Sequence, residues 1–332
     1  MPHIPATMQA LVLTKFDGAG ALELRELPTP QPEPGQLLVK MVAAPINPSD
    51  LMFLDGLYGV RPELPHTAGF EGSGVVVASG GGLYGGALVG RRVATSALEG
   101  GTWAEYCLAP TMGCIPLTPQ VSTLSGAMAL VNPFTAWALV AIARRQGAKA
   151  AVQTAAASAL GRMIIRLSQR FDLPVINIVR RQEQVEQLRA LGATHILNSA
   201  DADFDQQLKQ RCRELGATVA FDAVAGELTG QLLQAMPRHS EVHVYGALSL
   251  GAISAHPGDL IFRDQRILGF YLGHWLREQN PAALLRTAIA VQRLLAKEFR
   301  SEVRAVLPLA QHQRALKLYS GDMTGGKVLF VP

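Results

Sequence analysis

The chain has 332 residues, 48% of them hydrophobic and 17% charged, with a net charge of +4. That balance excludes a disordered chain and supplies enough apolar material for two domains, each with its own core. The 30 Lys and Arg residues are scattered rather than blocked together, which argues against a nucleic-acid partner.

Met1 to Ala10 lacks both the basic-then-apolar pattern of a secretory signal and the Arg/Ser-rich pattern of a transit peptide. The cysteines, Cys107, Cys114 and Cys212, form no CxxC pair and leave an odd thiol. That spacing speaks against a disulfide framework and a structural zinc lobe, and sets the expectation of a reducing, cytoplasmic compartment.

Up to about residue 126 the chain is rich in Gly and Pro. Short strand-like runs, Gln36–Val42, Gly74–Ala78 and Arg92–Thr95, alternate with turn clusters such as Thr29–Gly35 and Gly80–Gly86. This pattern predicts an irregular β-barrel-like domain. Gly126 to Ala143 is mostly apolar but contains Asn132-Pro133 and runs into Arg144-Arg145. It predicts a buried helix entering a second domain rather than a membrane span.

From Ala148 strands and helices alternate. Strands are predicted at Ala150–Thr154, Val175–Val179, His195–Leu197, Thr218–Ala223 and Val242–Tyr245. Helices are predicted at Leu160–Arg170, Glu183–Leu191, Phe204–Leu215 and Leu228–Ala235. Such alternation implies right-handed crossovers and a parallel, doubly wound sheet. An apolar strand, Ile267–Leu272, and a helix near Ala282–Lys297 follow, and the tail from Val303 returns to short strands that rejoin the first domain. Ile267–Leu272 could form the sheet edge, and an uncovered edge invites pairing with a second copy.

The first alternating strand ends in Gln153-Thr154-Ala155-Ala156-Ala157-Ser158-Ala159-Leu160-Gly161, the turn where a dinucleotide fold brings helix N–H groups to a pyrophosphate. Ala stands where most glycines are expected, so the turn alone is a weak signal. Context strengthens it. NAD-binding folds place an acid about 20 residues on, at the ribose 2′-hydroxyl. Here the second strand ends in Arg180-Arg181, two guanidiniums suited to the 2′-phosphate of NADPH.

Pro45-Ile46-Asn47-Pro48-Ser49-Asp50, Gly56-Leu57-Tyr58-Gly59, Ala68-Gly69-Phe70-Glu71-Gly72 and Val131-Asn132-Pro133-Phe134-Thr135-Ala136 stand in one order before the alternating half. Leu260-Ile261-Phe262-Arg263-Asp264 and Leu268-Gly269-Phe270-Tyr271-Leu272 follow it. In this series the chain resembles the medium-chain dehydrogenase/reductase family over nearly its whole length. Zinc alcohol dehydrogenases of that family carry a Cys where Asn47 stands and a His where Phe70 stands. Neither Asn nor Phe is a plausible zinc ligand, so the resemblance is to the zinc-free branch. Within it, the 2-enoyl thioester (trans-2-enoyl-CoA) reductases are most similar, with quinone oxidoreductases next.

The resemblance implies an α/β chain with a GroES-like catalytic domain over residues 1–126, completed by 299–332, and a Rossmann NADPH-binding domain over 127–298. It implies reduction of the activated C=C bond of a small-molecule enoyl thioester, in a homodimer, with Tyr58 as the proton donor. A phenol keeps its proton at neutral pH and can give it to a carbon or steady an enolate oxygen. It also implies Asn47 as a cofactor-binding residue, Asn132 and Thr135 near the nicotinamide half, and Ala157, Ser158, Ala159, Leu160 and Gly161 around the pyrophosphate. Arg180, Arg181 and Gln182 would surround the adenosine phosphate. Tyr245, Gly246, Ala247, Leu248, Phe270, Tyr271 and Leu272 would line the nicotinamide pocket, and Lys327 would reach the cofactor from the tail. Two departures stand out: Ala159 replaces a usual Gly, and Arg181-Gln182 replaces an Asp-Arg pair. NADPH-dependent quinone or enone reduction, and a non-catalytic NADPH-binding role, remain open alternatives, since fold alone does not fix function.

Overall fold

The structure, a computed structural model, describes residues 3–97, 100–299 and 301–332. The chain forms two compact units, residues 1–131 with 288–332, and residues 132–287.

The first unit is built from β1 (Thr7–Leu13), β2 (Leu22–Pro28), β3 (Gln36–Pro45), β4 (His66–Thr67), β5 (Glu71–Ser79), β6 (Arg92–Ser96), β7 (Tyr106–Pro110) and β8 (Cys114–Pro116). β1 pairs antiparallel with β2 and β4, while β3 pairs antiparallel with β5 and β7. The long β3 bends, with register shifts against β5 between Leu38 and Val39 and between Met41 and Ala43. Such bulges let one strand serve two neighbours in an irregular barrel. Its core gathers Leu11, Leu13, Ile46, Phe53, Phe70, Trp103, Tyr319 and Phe330. Trp103 is wholly buried and its indole N–H donates to the Pro45 carbonyl at 3.1 Å. Gly69 passes beside it with φ +97°, where a Cβ would stand 2.5 Å from the indole. Only glycine meets both demands, and the position of Phe70 follows from it.

The second unit carries the parallel sheet: β9 (Ala150–Gln153), β10 (Val175–Val179), β11 (His195–Asn198), β12 (Ala217–Asp222), β13 (Glu241–Val244) and β14 (Arg266–Gly269). Their spatial order is β11-β10-β9-β12-β13-β14. One row of the register, Ile176, Val152, Ala220, Val242 and Ile267, crosses five strands. These side chains feed one apolar cluster with Phe204, Leu208 and Leu232 from the crossover helices. This is the doubly wound arrangement, with its order reversing between β9 and β12.

The chain then returns to the first unit through β15 (Val303–Pro308) and β16 (Lys327–Val331), and β16 pairs antiparallel with β3.

Several elements differ from expectation. A helix, Leu83–Leu88, occupies most of the Gly80–Gly86 turn cluster, and another, Pro48–Leu54, follows Asn47. Strand β14 stops at Gly269 and Leu272 opens a helix, Leu272–Glu278, so Ile267–Leu272 is not one strand. Among the described residues no helix is long and apolar enough to cross a membrane. The apolar stretch before Arg144 carries the expected buried helix, Val131–Arg145.

Candidate active site

In the first unit, Asn47 precedes the helix Pro48–Leu54, whose first position takes Pro because no intrahelical acceptor awaits its N–H. Asp50 turns back and accepts from the Asn47 N–H at 2.7 Å and from the Phe70 N–H at 3.2 Å. One carboxylate thus ties together the two segments that bear metal ligands in zinc dehydrogenases. The Asn47 amide donates to Glu71 Oε1 at 2.9 Å and its carbonyl oxygen accepts from Lys327 Nζ. Glu71 Oε2 accepts from the N–H groups of Leu130, at 3.1 Å, and Val131, at 3.0 Å. Asn47, Asp50, Glu71 and Lys327 are all buried.

Burial dominates the electrostatics. It pushes the Asp50 carboxyl up to about 7, with the Glu71 charge adding to the rise and Lys327 opposing it. Glu71 is raised by burial and held back by Lys327 and by the donors on its oxygens. Lys327 is lowered by burial and restored in part by Glu71 and Asp50. The Tyr319 hydroxyl is raised by burial and then by both acids.

A folded-state value above the unfolded one means that the native chain holds a proton the unfolded chain has released. For Asp50 that window runs from about pH 4 to about 7. Stability should therefore fall as pH rises through it, with Glu71 contributing in the same direction. We expect the urea midpoint to drop between pH 5 and pH 8, and Asp50→Asn to flatten that slope. An unchanged slope in Asp50→Asn would remove Asp50 as its source.

Neither former ligand position is open to a metal. The Asn47 amide is committed at both ends, and Phe70 packs in the aromatic core, 5.4 Å from Phe53 between ring centroids. Among the described residues no group of three or more His, Cys, Asp or Glu could hold a metal ion. Cys107 and Cys114 are buried, and desolvation raises both thiols, so neither is a nucleophile.

Tyr58 lies in the loop after the helix Pro48–Leu54, half-buried at the rim of the same core. Its ring sits 4.7 Å from that of Phe70, tilted by 35°. The loop is held by Arg61, whose Nε donates to the Gly56 carbonyl at 2.9 Å while its guanidinium lies over Phe16. Gly56 has φ +68°, and a Cβ there would stand 2.8 Å from Phe16 Cβ. Phe70, where zinc enzymes carry a histidine, thus serves as the platform for the tyrosine proposed to act.

In the second unit the other predicted residues collect at the carboxyl ends of the parallel strands. The turn after β9 carries Ala157 to Gly161, with Ser158 Oγ capping the helix Ala159–Arg170 by accepting from the Gly161 N–H at 3.1 Å. A Cβ on Gly161 would come within 2.4 Å of the Ala156 carbonyl oxygen. That glycine is what lets helix and strand close on each other, while Ala159 needs no such room. The N–H groups of Ala159 and Leu160 lie in the first helical turn, before any intrahelical acceptor. Arg180 and Arg181 stand exposed after the neighbouring β10, Arg181 paired with Glu183 at 3.1 Å, and Gln182 opens the next helix.

Tyr245, Gly246, Ala247 and Leu248 follow β13 on the same edge. Phe270, Tyr271 and Leu272 follow β14, where the Phe270 N–H donates to the Val244 carbonyl. The Tyr245 hydroxyl is buried without a partner among the described residues, and its ionisation is pushed up by burial and by the Asp222 charge. Asn132 and Thr135 share a face near the start of the helix Val131–Arg145, Thr135 buried and Asn132 half-buried. Helix N–H donors, exposed guanidiniums and an unpartnered hydroxyl along one strand edge fit a dinucleotide phosphate ligand. Asn47 and Lys327 lie in the buried cluster of the first unit.

Asp50, Glu71 and Asp222 carried no assigned role in the sequence. Their signal was a lone acid inside an apolar or glycine-rich run, as in Gly69-Phe70-Glu71-Gly72 and Val219-Ala220-Phe221-Asp222.

The chain matches the family of alcohol dehydrogenase GroES-like domains over residues 33–119 and that of zinc-binding dehydrogenases over residues 159–288. The mitochondrial enoyl-[acyl-carrier-protein] reductase of Bos taurus is 30% identical over 284 residues, covering 83% of this chain and 76% of the relative. A putative NADPH:quinone reductase from Mesorhizobium loti superposes with a TM-score of 0.92 at 36% identity, covering 99% of this chain and all of that one. A mycobacterial protein in complex with NADPH superposes with a TM-score of 0.83 at 26% identity, covering 98% of this chain and all of that one.

Proposed function

The chain belongs to the zinc-free branch of the medium-chain dehydrogenase/reductase family, and from that premise we propose that this NAD(P)-dependent oxidoreductase uses NADPH to reduce the activated C=C bond of a 2-enoyl thioester. The carrying observation is Tyr58, a half-buried phenol held on Phe70 where zinc relatives hold a metal ligand. The likeness to enoyl-[acyl-carrier-protein] reductase supports the thioester.

When bound, NADPH supplies the hydride. The turn Ala157–Gly161 would hold its pyrophosphate, and Arg180 and Arg181 its 2′-phosphate. Addition of hydride to the β-carbon leaves an enolate on the thioester. Tyr58 then donates its proton to the α-carbon or steadies the enolate oxygen. Water exclusion is served by the aromatic packing of Phe16, Phe53 and Phe70 behind the loop.

The test is NADPH oxidation measured side by side with enoyl-CoAs, quinones and simple enones. We expect the enoyl thioester to show the highest kcat/KM. Turnover of quinones alone would replace the thioester with the second reading, which the Mesorhizobium loti neighbour favours.

The arginines give a cofactor prediction. The exposed Arg181–Glu183 pair contributes little and is easily exchanged for a phosphate. A charge-assisted bond is worth about 1.5–3 kcal/mol, roughly ten- to a hundredfold in affinity. Arg180→Ala with Arg181→Ala should raise KM for NADPH by that order and leave KM for NADH nearly unchanged. Equal use of both cofactors by the wild type would reduce the arginines to surface charge.

We also expect a homodimer joined through β14. It is the last strand of its sheet, with Leu268 exposed, and the preceding helix leaves Ile261 69% and Phe262 71% exposed. Light scattering at micromolar concentration checks it, and a monomer there counts against the interface.

A further inference from the structure

The dinucleotide edge of the sheet holds a buried carboxylate that the chemistry above does not use. Asp222 ends β12 and is fully buried. Its Oδ1 accepts from Thr154 Oγ1 at 2.8 Å, from the Val224 N–H at 2.9 Å and from the Ala225 N–H at 3.2 Å. Its Oδ2 accepts from Thr229 Oγ1 at 2.7 Å. The Thr154 hydroxyl in turn accepts from the Ala223 N–H at 2.8 Å. Among the described residues no cation pairs with Asp222; the charge is met by hydroxyl and backbone donors.

The location is specific. Thr154 begins the turn after β9, and Asp222 to Ala225 form the turn after β12. These strands are neighbours, and the strand order reverses between them. In a doubly wound sheet that reversal opens the crevice in which the ligand lies. Both turns contain an alanine in the left-handed region, Ala155 at φ +48° and Ala225 at φ +61°. A non-glycine residue holds such a conformation only when its surroundings fix it. Here the surroundings include the Thr154–Asp222 bond and the two N–H groups on Asp222.

We infer that Thr154 and Asp222 are positioning residues that lock the two turns flanking the dinucleotide crevice into the shape that receives the cofactor. This rests on the proposed NADPH site at Ala157–Gly161. Neither side chain needs to touch the ligand. Thr154 acts through the backbone of Ala155 to Ser158, and Asp222 through that of Ala223 to Ala225. With the bond intact the crevice is formed before the ligand arrives; without it, binding must also order two turns.

The decisive variant is Thr154→Val, which keeps shape and volume, abolishes the donor to Asp222 and the acceptor for Ala223, and avoids the folding risk of removing Asp222. Fluorescence titration should show NADPH Kd raised about tenfold, as expected for loss of one bond to a charged group. Turnover at saturating NADPH should stay near the wild-type value, and Thr154→Ser should restore the Kd. Melting of the cofactor-free proteins is measured in parallel. A Thr154→Val protein that melts earlier but binds NADPH as tightly as wild type overturns the inference, because the bond then serves only the fold. If wild type itself binds neither NADPH nor NADH, the cofactor reading fails and this inference fails with it.

Discussion

Tyr58→Phe should reduce enoyl-thioester turnover by about 10²–10⁴-fold, the range of general acid–base assistance. The variant keeps the ring, so its packing on Phe70 at 4.7 Å and on the rim of the core should survive. Folding, read by melting, and NADPH affinity, read by fluorescence, are expected to match wild type. Quinone reduction requires no protonation at carbon, so any such activity should fall far less. The two acceptors thus give different answers from one protein, with cofactor site and scaffold held constant. Wild-type turnover of enoyl-CoA by Tyr58→Phe would demote the tyrosine to packing and deprive the thioester proposal of its chemical residue. Loss of both activities together would point to a disturbed loop.

The second unit was legible because its elements are long and repeat. Val175–Val179 and Phe204–Leu215 stand as read, since an all-apolar strand and a helix with a clear apolar stripe leave little ambiguity. Pro48–Leu54 was not legible as a helix. It has seven residues, too few for a periodic signal, and it depends on Asp50 reaching back to Asn47. Leu83–Leu88 lay hidden inside a glycine cluster, and Gly269 ended a strand whose apolar run continues past it.

In the site, motif order marked Asn47, Tyr58, Phe70 and the two arginines. The buried charge network was out of reach because its partners are distant in sequence. Asn47 meets Glu71 across 24 residues and Lys327 across 280, while Glu71 meets Leu130 across 59. A residue's type shows that it can pair, but only the tertiary fold shows with what.

That network carries the largest stability effect we expect. Lys327 is 4% exposed, and its ammonium is the counter-charge that both lowers Glu71 and Asp50 and donates to Asn47. Lys327→Met keeps most of the apolar stem and deletes the charge, leaving two acids in a dry site. Leaving buried acids without their nearby counter-charge costs up to roughly 3–5 kcal/mol. The sign of the pH dependence distinguishes this from a packing defect. With the ammonium gone the acids can escape the penalty by protonating, so the loss should be greatest near pH 8 and shrink toward pH 5. Adding Glu71→Gln to Lys327→Met should recover part of the stability at pH 8, because the introduced amide oxygen can still accept one of the bonds from Leu130 and Val131 without bringing a charge. The measurement is urea unfolding of the three proteins at both pH values. Equal stability of Lys327→Met and wild type at pH 8 would show that the ammonium is not the counter-charge. A loss of the same size at both pH values would show that its stem, not its charge, holds the cluster together.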